Sequence, residues 1–245
     1  MSCGPFASLN LSFAVGDERD AVERNWALVR ESFPRIRQWI HMRQVHGVAV
    51  CLVDTHSIEP ATPCDGLVTS IPGVALCVLT ADCVPALVAA SGGKVVAAVH
   101  AGWRGTVGRV LAEAVRVMVT RCQVSPAEIW VALGPSIGPC CYEVGEDVVR
   151  AMERAGLGAA VRCAEDGRRF VDLRCANRLI LQEAGVPSAH IVDVGACTSC
   201  FANDFYSHRR QKGMAGRQLS FIVCSQEALQ LGPGSGYSQA ENRRL

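Results

Sequence analysis

Between residues 80 and 105 the chain reads TADCVPALVAASGGKVVAAVHAGWRG, and each of its two apolar runs meets, at one end, a side chain that binds soft or borderline cations. Cys83 follows VALCVLTAD, and His100 closes VVAAVH. A third such side chain, His46, stands in RQVHG. Zinc takes thiolate and imidazole ligands, and a catalytic zinc keeps three protein ligands and one position for water. The separations, 37 positions from His46 to Cys83 and 17 from Cys83 to His100, are unlike the short clips whose spacing alone implies a metal. A core histidine, an inert buried thiol and a turn residue before Gly47 would explain the same three letters. Position favours chemistry: each lies where an apolar strand gives way to a Gly- or Asp-containing loop.

Next to His100, HAGWRGT joins a strand to a helix with two glycines and an arginine. Backbone N–H groups at the helix start, the positive end of its dipole and Arg104 together suit an anion. The loop lacks the lysine of a P-loop and the dinucleotide fingerprint, and a tight turn with Trp103 filling core explains it equally well. Elsewhere, Cys140 and Cys141 are adjacent in GPCCYE, and Cys197 and Cys200 form a Cys-x-x-Cys in ACTSCF. A second metal or a redox pair is one reading. With 13 cysteines in the chain such spacing arises easily by chance, so packing is the favoured one.

These residues need elements to hold them. Ala21, Val22, Trp26, Val29 and Phe33 recur at helical spacing within residues 17–33, after a strand-like LNLSFAV. HGVAVCLVD, DGLVTS, VALCVLT, PALVAAS and KVVAAVH read as adjacent strands, with SGG as a hairpin turn. TVGRVLAEAVRVMVTRC is one helix starting near Gly105 or Thr106. IWVALG, AHIVDVG and RQLSFIVC are strands, and GEDVVRAMERAG and DLRCANRLILQEAG are helices, the second capped by Asp172 and closed by Gly185.

With 49% hydrophobic and 19% charged residues, the 245-residue chain has the composition of a compact enzyme-sized globule. A net charge of +1 gives no reason to expect nucleic acid or a membrane surface as partner. MSCGPFASLNLSF lacks the basic and apolar regions of a secretory signal, and no stretch has the length of a membrane span. The expected location is the cytoplasm, with the cysteines reduced and mostly buried.

In order, NLSFAVGD, RQVHG, CDGLVT, GVALCVLTADCVP, AAVHAGWRGT, ALGPSIGPCCYEVGEDV, DLRCANRLILQEAGV and FYSHRRQKGMAGRQLSFI resemble the motifs of the laccase-domain family. Its members are also called multicopper polyphenol oxidoreductases, zinc-dependent purine nucleoside phosphorylases and peptidoglycan editing factors. The likeness runs from about residue 8 to about residue 224. Cys64, where the family usually has alanine, and the cysteine-rich ACTSCF are departures, and neither removes a ligand. The resemblance implies one α+β domain, residues 1–230, layered α/β/β/α and similar to the deamidase domain of cytotoxic necrotizing factor. A disordered tail, residues 231–245, is expected to follow.

It further implies that His46, Cys83 and His100 bind one zinc ion and carry the chemistry, with copper as the alternative metal. The implied reactions are phosphorolysis of adenosine, inosine, guanosine or methylthioadenosine and deamination of adenosine, so the partners are purine nucleosides and phosphate. Arg104 and Arg43 are the candidates for holding phosphate, Gln44 for contacting substrate, and Asp82 for acid or base. Three alternatives stand beside this. Copper oxidation of phenols is disfavoured because only six histidines are present. An amide hydrolase would use Cys83 as nucleophile and His100 as base. A partner-binding or wall-precursor editing protein would close a structural zinc with a fourth ligand from Cys140, Cys141, Cys197, Cys200 or His208.

Overall fold

The computed structural model describes residues 1–55, 60 and 62–225; the expected tail and the last residues of the expected domain lie outside them. In chain order the elements are α1 (Arg19–Ser32), β1 (Gln38–His41), β2 (Val50–Val53), β3 (Gly66–Thr69), β4 (Val74–Thr80), β5 (Val84–Ala90) and β6 (Val95–Ala101). Then follow α2 (Trp103–Val107), α3 (Val110–Cys122), β7 (Trp130–Leu133), α4 (Glu146–Arg154), β8 (Val161–Cys163), β9 (Arg169–Val171), α5 (Leu173–Glu183), β10 (Ile191–Asp193) and β11 (Gln218–Val223). No helix among the described residues is long and apolar enough to cross a membrane.

Two sheets lie face to face. One has the order β1-β4-β11, the other β10-β7-β5-β6-β3-β2. Successive side chains of a strand point to opposite faces, and the core divides accordingly. Along β6, Val95, Ala97, Val99 and Ala101 join a core with α3 and α5, whereas Val96 and Ala98 face the other sheet beside Leu76 and Val78 of β4. From the opposite side of β4, Cys77 and Leu79 pack under Val22, Trp26 and Val29 of α1. The layers are therefore helix, sheet, sheet, helix, an α+β architecture as the resemblance implied. Because both faces of β5 and β6 are covered, their sequences are apolar without alternation. Each fully buried leucine, such as Leu67 or Leu111, contributes roughly 1.5–3 kcal/mol.

Several expectations need correction. LNLSFAV is not a strand: one backbone bond joins it to the start of β11, Leu11 N–H to Arg217 carbonyl at 3.2 Å, and the Asn10 side chain takes the place of further ladder bonds. HGVAVCLVD is strand only from Val50, because His46 and Gly47 form a turn. The helix from residue 105 starts earlier, at Trp103, and breaks at Arg109, which has a φ of 67°. Apolar spacing continues across that break since Val107 and Val110 bury in one core, so periodicity does not reveal it. Asp172 does cap α5, accepting from Cys175 N–H at 3.0 Å. The sequence reading missed β1 and the β8–β9 hairpin, both of three or four residues.

Candidate metal centre and cleft

β6 runs antiparallel to both β3 and β5, so its C-terminal end meets their N-terminal ends at one sheet edge. His100 shares the phase of Val96 and Ala98 and therefore faces between the sheets. Asp65, one residue before β3, lies opposite: its carbonyl accepts from His100 N–H at 2.7 Å. The chain leaves β4 through Ala81 and Asp82 and enters β5 after Cys83, which brings the thiol to the same edge. The question posed by two strands ending on a thiol and an imidazole is answered by their antiparallel pairing.

Buried Asp65, which the sequence reading passed over, organises the edge. One carboxylate oxygen lies 2.8 Å from His100 Nδ1, and the two oxygens accept from the N–H groups of Val45, His46 and Gly47 at 2.6–3.3 Å. The turn carrying His46, itself at a φ of 58°, is thereby pinned. Its ring meets that of His100 edge-on, with centroids 4.8 Å apart. With His100 Nδ1 held by a carboxylate, Nε2 is directed away, the arrangement that orients metal-binding histidines. The ligand atoms of His46, Cys83 and His100 all lie within 4.8 Å of one another, a span suited to a single ion. Gly102 closes over them: a Cβ there would lie 3.0 Å from both Cys83 Sγ and His46 Cδ2.

The charges follow this geometry. Burial opposes ionisation of Cys83, but hydrogen bonding and charge from His100 and His46 bring its pKa down to about 6. Burial likewise opposes an imidazolium at His100, and Asp65 and Cys83 override it, raising its pKa to about 9. Asp65 is buried too, yet the His100 and backbone N–H bonds hold its carboxyl below the usual range. A thiolate is the form that ligates metals and attacks electrophiles.

The trio opens into a cleft of about 610 Å³, a volume in the range of small-molecule sites. Arg43, Gln44 and Asp82 line it with the trio; Arg104 does not, and instead lies over the Trp103 ring at 4.4 Å. Gln44 exchanges two side-chain bonds with the backbone of Leu79, at 2.8 and 2.9 Å, and so extends the edge of β4. Asp82, at a φ of 94°, spends both carboxylate oxygens inside the protein, accepting from Thr198 Oγ1 at 2.6 Å and Arg209 N–H at 2.7 Å. Its geometry is that of a residue that orients the loop before Cys83.

Tyr142, Arg209 and Arg217, from segments distant in sequence, line the cleft without having been singled out in the sequence; His208, considered there only as a fourth metal ligand, lines it too. Burial pushes the Tyr142 hydroxyl up to about 12, and the Arg209 guanidinium lies 5.1 Å from its ring centre. The motif FYSHRRQKGMAGRQ was the available signal, since it concentrates cations in one loop. Of the residues able to supply the trio with a fourth ligand, His208 lines the cleft, whereas the four cysteines gather in a cluster of their own.

The model of a family described as multi-copper polyphenol oxidoreductase laccase matches residues 1–225. A purine nucleoside phosphorylase, YlmD of Geobacillus stearothermophilus, is 41% identical over 234 residues, covering 90% of this chain and 85% of that one. Adenosine deaminase RL5, from an unknown prokaryotic organism, is 36% identical over 229 residues, 89% of this chain and 87% of its own. The crystal structure of the Geobacillus YlmD has a TM-score of 0.84 at 38% identity, over 92% of this chain and 88% of that one.

Proposed function

The chain belongs to the multi-copper polyphenol oxidoreductase laccase family, and on that premise we propose that it is a zinc-dependent purine nucleoside phosphorylase that also deaminates adenosine, on a single domain of residues 1–230. The observation that carries this is the trio His46, Cys83 and His100 at the wall of a cleft that also holds Arg43, Arg209 and Arg217. A His/Cys/His set suits zinc, and three ligands leave a position open. When bound there, zinc supplies Lewis-acid polarisation and water of lowered pKa.

The chain's own groups do the remaining work. Asp65 fixes the His100 ring and the His46 turn, and Asp82 fixes the approach to Cys83. The cleft arginines offer charge-assisted bonds to a phosphate beside the ribose. In phosphorolysis a phosphate oxygen bonds to the ribose C1′, the glycosidic bond breaks, and its electrons and a proton go to the purine. In deamination water adds at C6 of adenine and ammonia leaves. Tyr142, whose hydroxyl stays protonated, can donate a hydrogen bond at the cleft wall.

One observation favours a second reading: Cys83, His100 and Asp65 also form a nucleophile, base and orienting-carboxylate series. Incubating zinc-loaded protein with adenosine separates the two. Inosine without phosphate, and adenine with ribose 1-phosphate when phosphate is added, are the expected products by chromatography. Adenosine, inosine and methylthioadenosine all returned unchanged would sink the nucleoside reading. Ammonia release from amides by metal-free protein, abolished by thiol alkylation, would establish the hydrolase.

A further inference from the structure

Away from the cleft, two turns bring four cysteines together. Cys140 and Cys141 follow β7, and Cys197 and Cys200 follow β10, its parallel neighbour, so both turns leave the same sheet edge. A bridge at Ser136 and Cys197 zips them: Ser136 N–H donates to Ala196 carbonyl at 3.2 Å and Thr198 N–H to Ser136 carbonyl at 3.1 Å. Cys200 Sγ lies 3.6 Å from Cys140 Sγ and 3.4 Å from Cys141 Sγ, and the four sulfurs are all within 4.8 Å of one another.

We propose that Cys140, Cys141, Cys197 and Cys200 hold a structural zinc ion, separate from the trio. Four thiolates about 2.3 Å from a central zinc stand roughly 3.8 Å apart, close to the observed spacing. A disulfide would need two of the sulfurs to approach to about 2.05 Å. An iron–sulfur cluster inserts several atoms between its thiolates, and this quartet leaves room for one ion. Gly138 N–H donates to Cys197 Sγ at 3.2 Å, the kind of backbone bond that supports a metal thiolate. Gly138 lies close against the cluster: a Cβ there would stand 3.2 Å from Cys140 Sγ and 3.3 Å from Cys197 Cβ, so these neighbours would have to give by a few tenths of an ångström. Cys140 and Cys200 are exposed, which removes hydrophobic packing as the reason for the cluster and leaves a path for the ion. Binding releases the thiol protons to solvent.

The ion would clamp the turns that hold Asp82. Thr198, between Cys197 and Cys200, donates to the Asp82 carboxylate, and Ile137 N–H donates to the Asp82 carbonyl at 2.8 Å. The quartet is thus a positioning device for the loop that delivers Cys83.

Elemental analysis of protein purified under reducing conditions with zinc tests this. Two zinc ions per chain are expected in the native protein, one in Cys83→Ser and one in Cys200→Ser. X-ray absorption of Cys83→Ser should show four sulfur neighbours at about 2.3 Å. Should Cys200→Ser fail to fold, alkylation of the native protein decides: the four cysteines stay unlabelled until a chelator is added. Iron in place of zinc, a disulfide within the quartet under reducing conditions, or Cys83→Ser protein with no zinc would each overturn the proposal.

Discussion

His46, Cys83 and His100 come from three separated stretches, meet at a sheet edge and border a cleft; the four cysteines come from two adjacent turns, and none of them lines that cleft. Two residues beside or within the trio, His46 and Asp82, hold positive φ angles, whereas no residue from 135 to 142 or from 196 to 201 does. Backbone strain of this sort costs of order 1–3 kcal/mol each and persists where the surroundings enforce it. Here Asp65 enforces it from one side and Thr198 from the other. The contrast separates two uses of the same soft ligands. A set of three beside a cavity leaves room for a substrate, and a set of four on short turns is closed and only ties chain to chain.

The largest effects should fall on opposite quantities. Cys83→Ser is expected to lower kcat/KM on the order of 10³-fold or more, because a metal's charge stabilisation is worth several kcal/mol and each 1.36 kcal/mol is tenfold. Its thermal midpoint should fall as well, through the linkage lost with that ion, but by less than in Cys200→Ser because three ligands leave the site open. Cys200→Ser should instead lose less than about tenfold in kcat/KM while its midpoint falls roughly 8–16 °C, the effect of losing about 4 kcal/mol of linkage from a tightly held ion. Equal losses of activity and midpoint in both variants, by kinetics and calorimetry, would erase the distinction.

Next in size is a change that touches no ligand. Gly102 has an ordinary φ of −76°, so its backbone does not demand glycine. What does is space, since an added Cβ meets Cys83 Sγ and His46 Cδ2 at 3.0 Å. Gly102→Ala should cost about 10²-fold in kcat/KM through a displacement of under 1 Å, with zinc at the quartet and the far-UV circular dichroism unaltered. Activity within twofold of the native protein would mean that the trio tolerates rearrangement.

The sequence revealed the trio more readily than the quartet, for a physical reason. Cys83 and His100 stand at the ends of segments whose apolar character marks them as strand, and His46 stands in the turn before another; their spacing left a common site open, and the resemblance to the laccase-domain family implied it. The quartet lies on turns without periodicity, and its closeness depends on β7 pairing with β10 across some 60 residues. Asp65 was in view within CDGLVT, but nothing local says that a carboxylate before a strand caps a turn 18 to 20 residues earlier in the chain. Arg104 was placed at the site through its neighbour His100. Helix geometry turns consecutive residues to different sides, and Arg104 rests on Trp103 outside the cleft lining. The strands β4, β5 and β6 were legible because they are apolar on both faces, whereas their layering was implied by the family resemblance.

A smaller effect probes the electrostatics of metal-free protein. The Cys83 pKa is depressed to about 6, so its thiolate contributes stability above its ordinary value and loses that contribution as pH falls through 6. The His100 pKa is raised to about 9, so its imidazolium contributes below the ordinary 6.5 and loses that contribution as pH rises through 9. The ion pair therefore spans roughly pH 6 to 9. Neutralising the carboxylate in Asp65→Asn lowers the His100 pKa and thereby raises that of Cys83. The midpoint of Cys83 alkylation, followed by mass spectrometry, should move upward from about pH 6, and zinc affinity should fall about 10- to 100-fold. An unmoved midpoint would show that Asp65 does not act through His100.

The smallest expected effect concerns a hydroxyl. Thr80 ends β4 in the phase of Leu76 and Val78, which turns it toward the space between the sheets, and it lines the cleft. Its Oγ1 is buried without a hydrogen-bond partner, and of the three such side-chain atoms among the described residues it alone borders the cleft. An unpaired buried hydroxyl costs stability, and a ligand that reaches it recovers that cost on binding. Thr80→Val keeps the shape and removes the hydroxyl, so stability and affinity should move in opposite directions. The midpoint should stay level or rise, while KM for the nucleoside rises about 2- to 10-fold, the worth of one neutral hydrogen bond at 0.5–1.5 kcal/mol. A lower midpoint with KM unchanged would mean that the hydroxyl is bonded within the protein and that substrate does not reach this part of the wall.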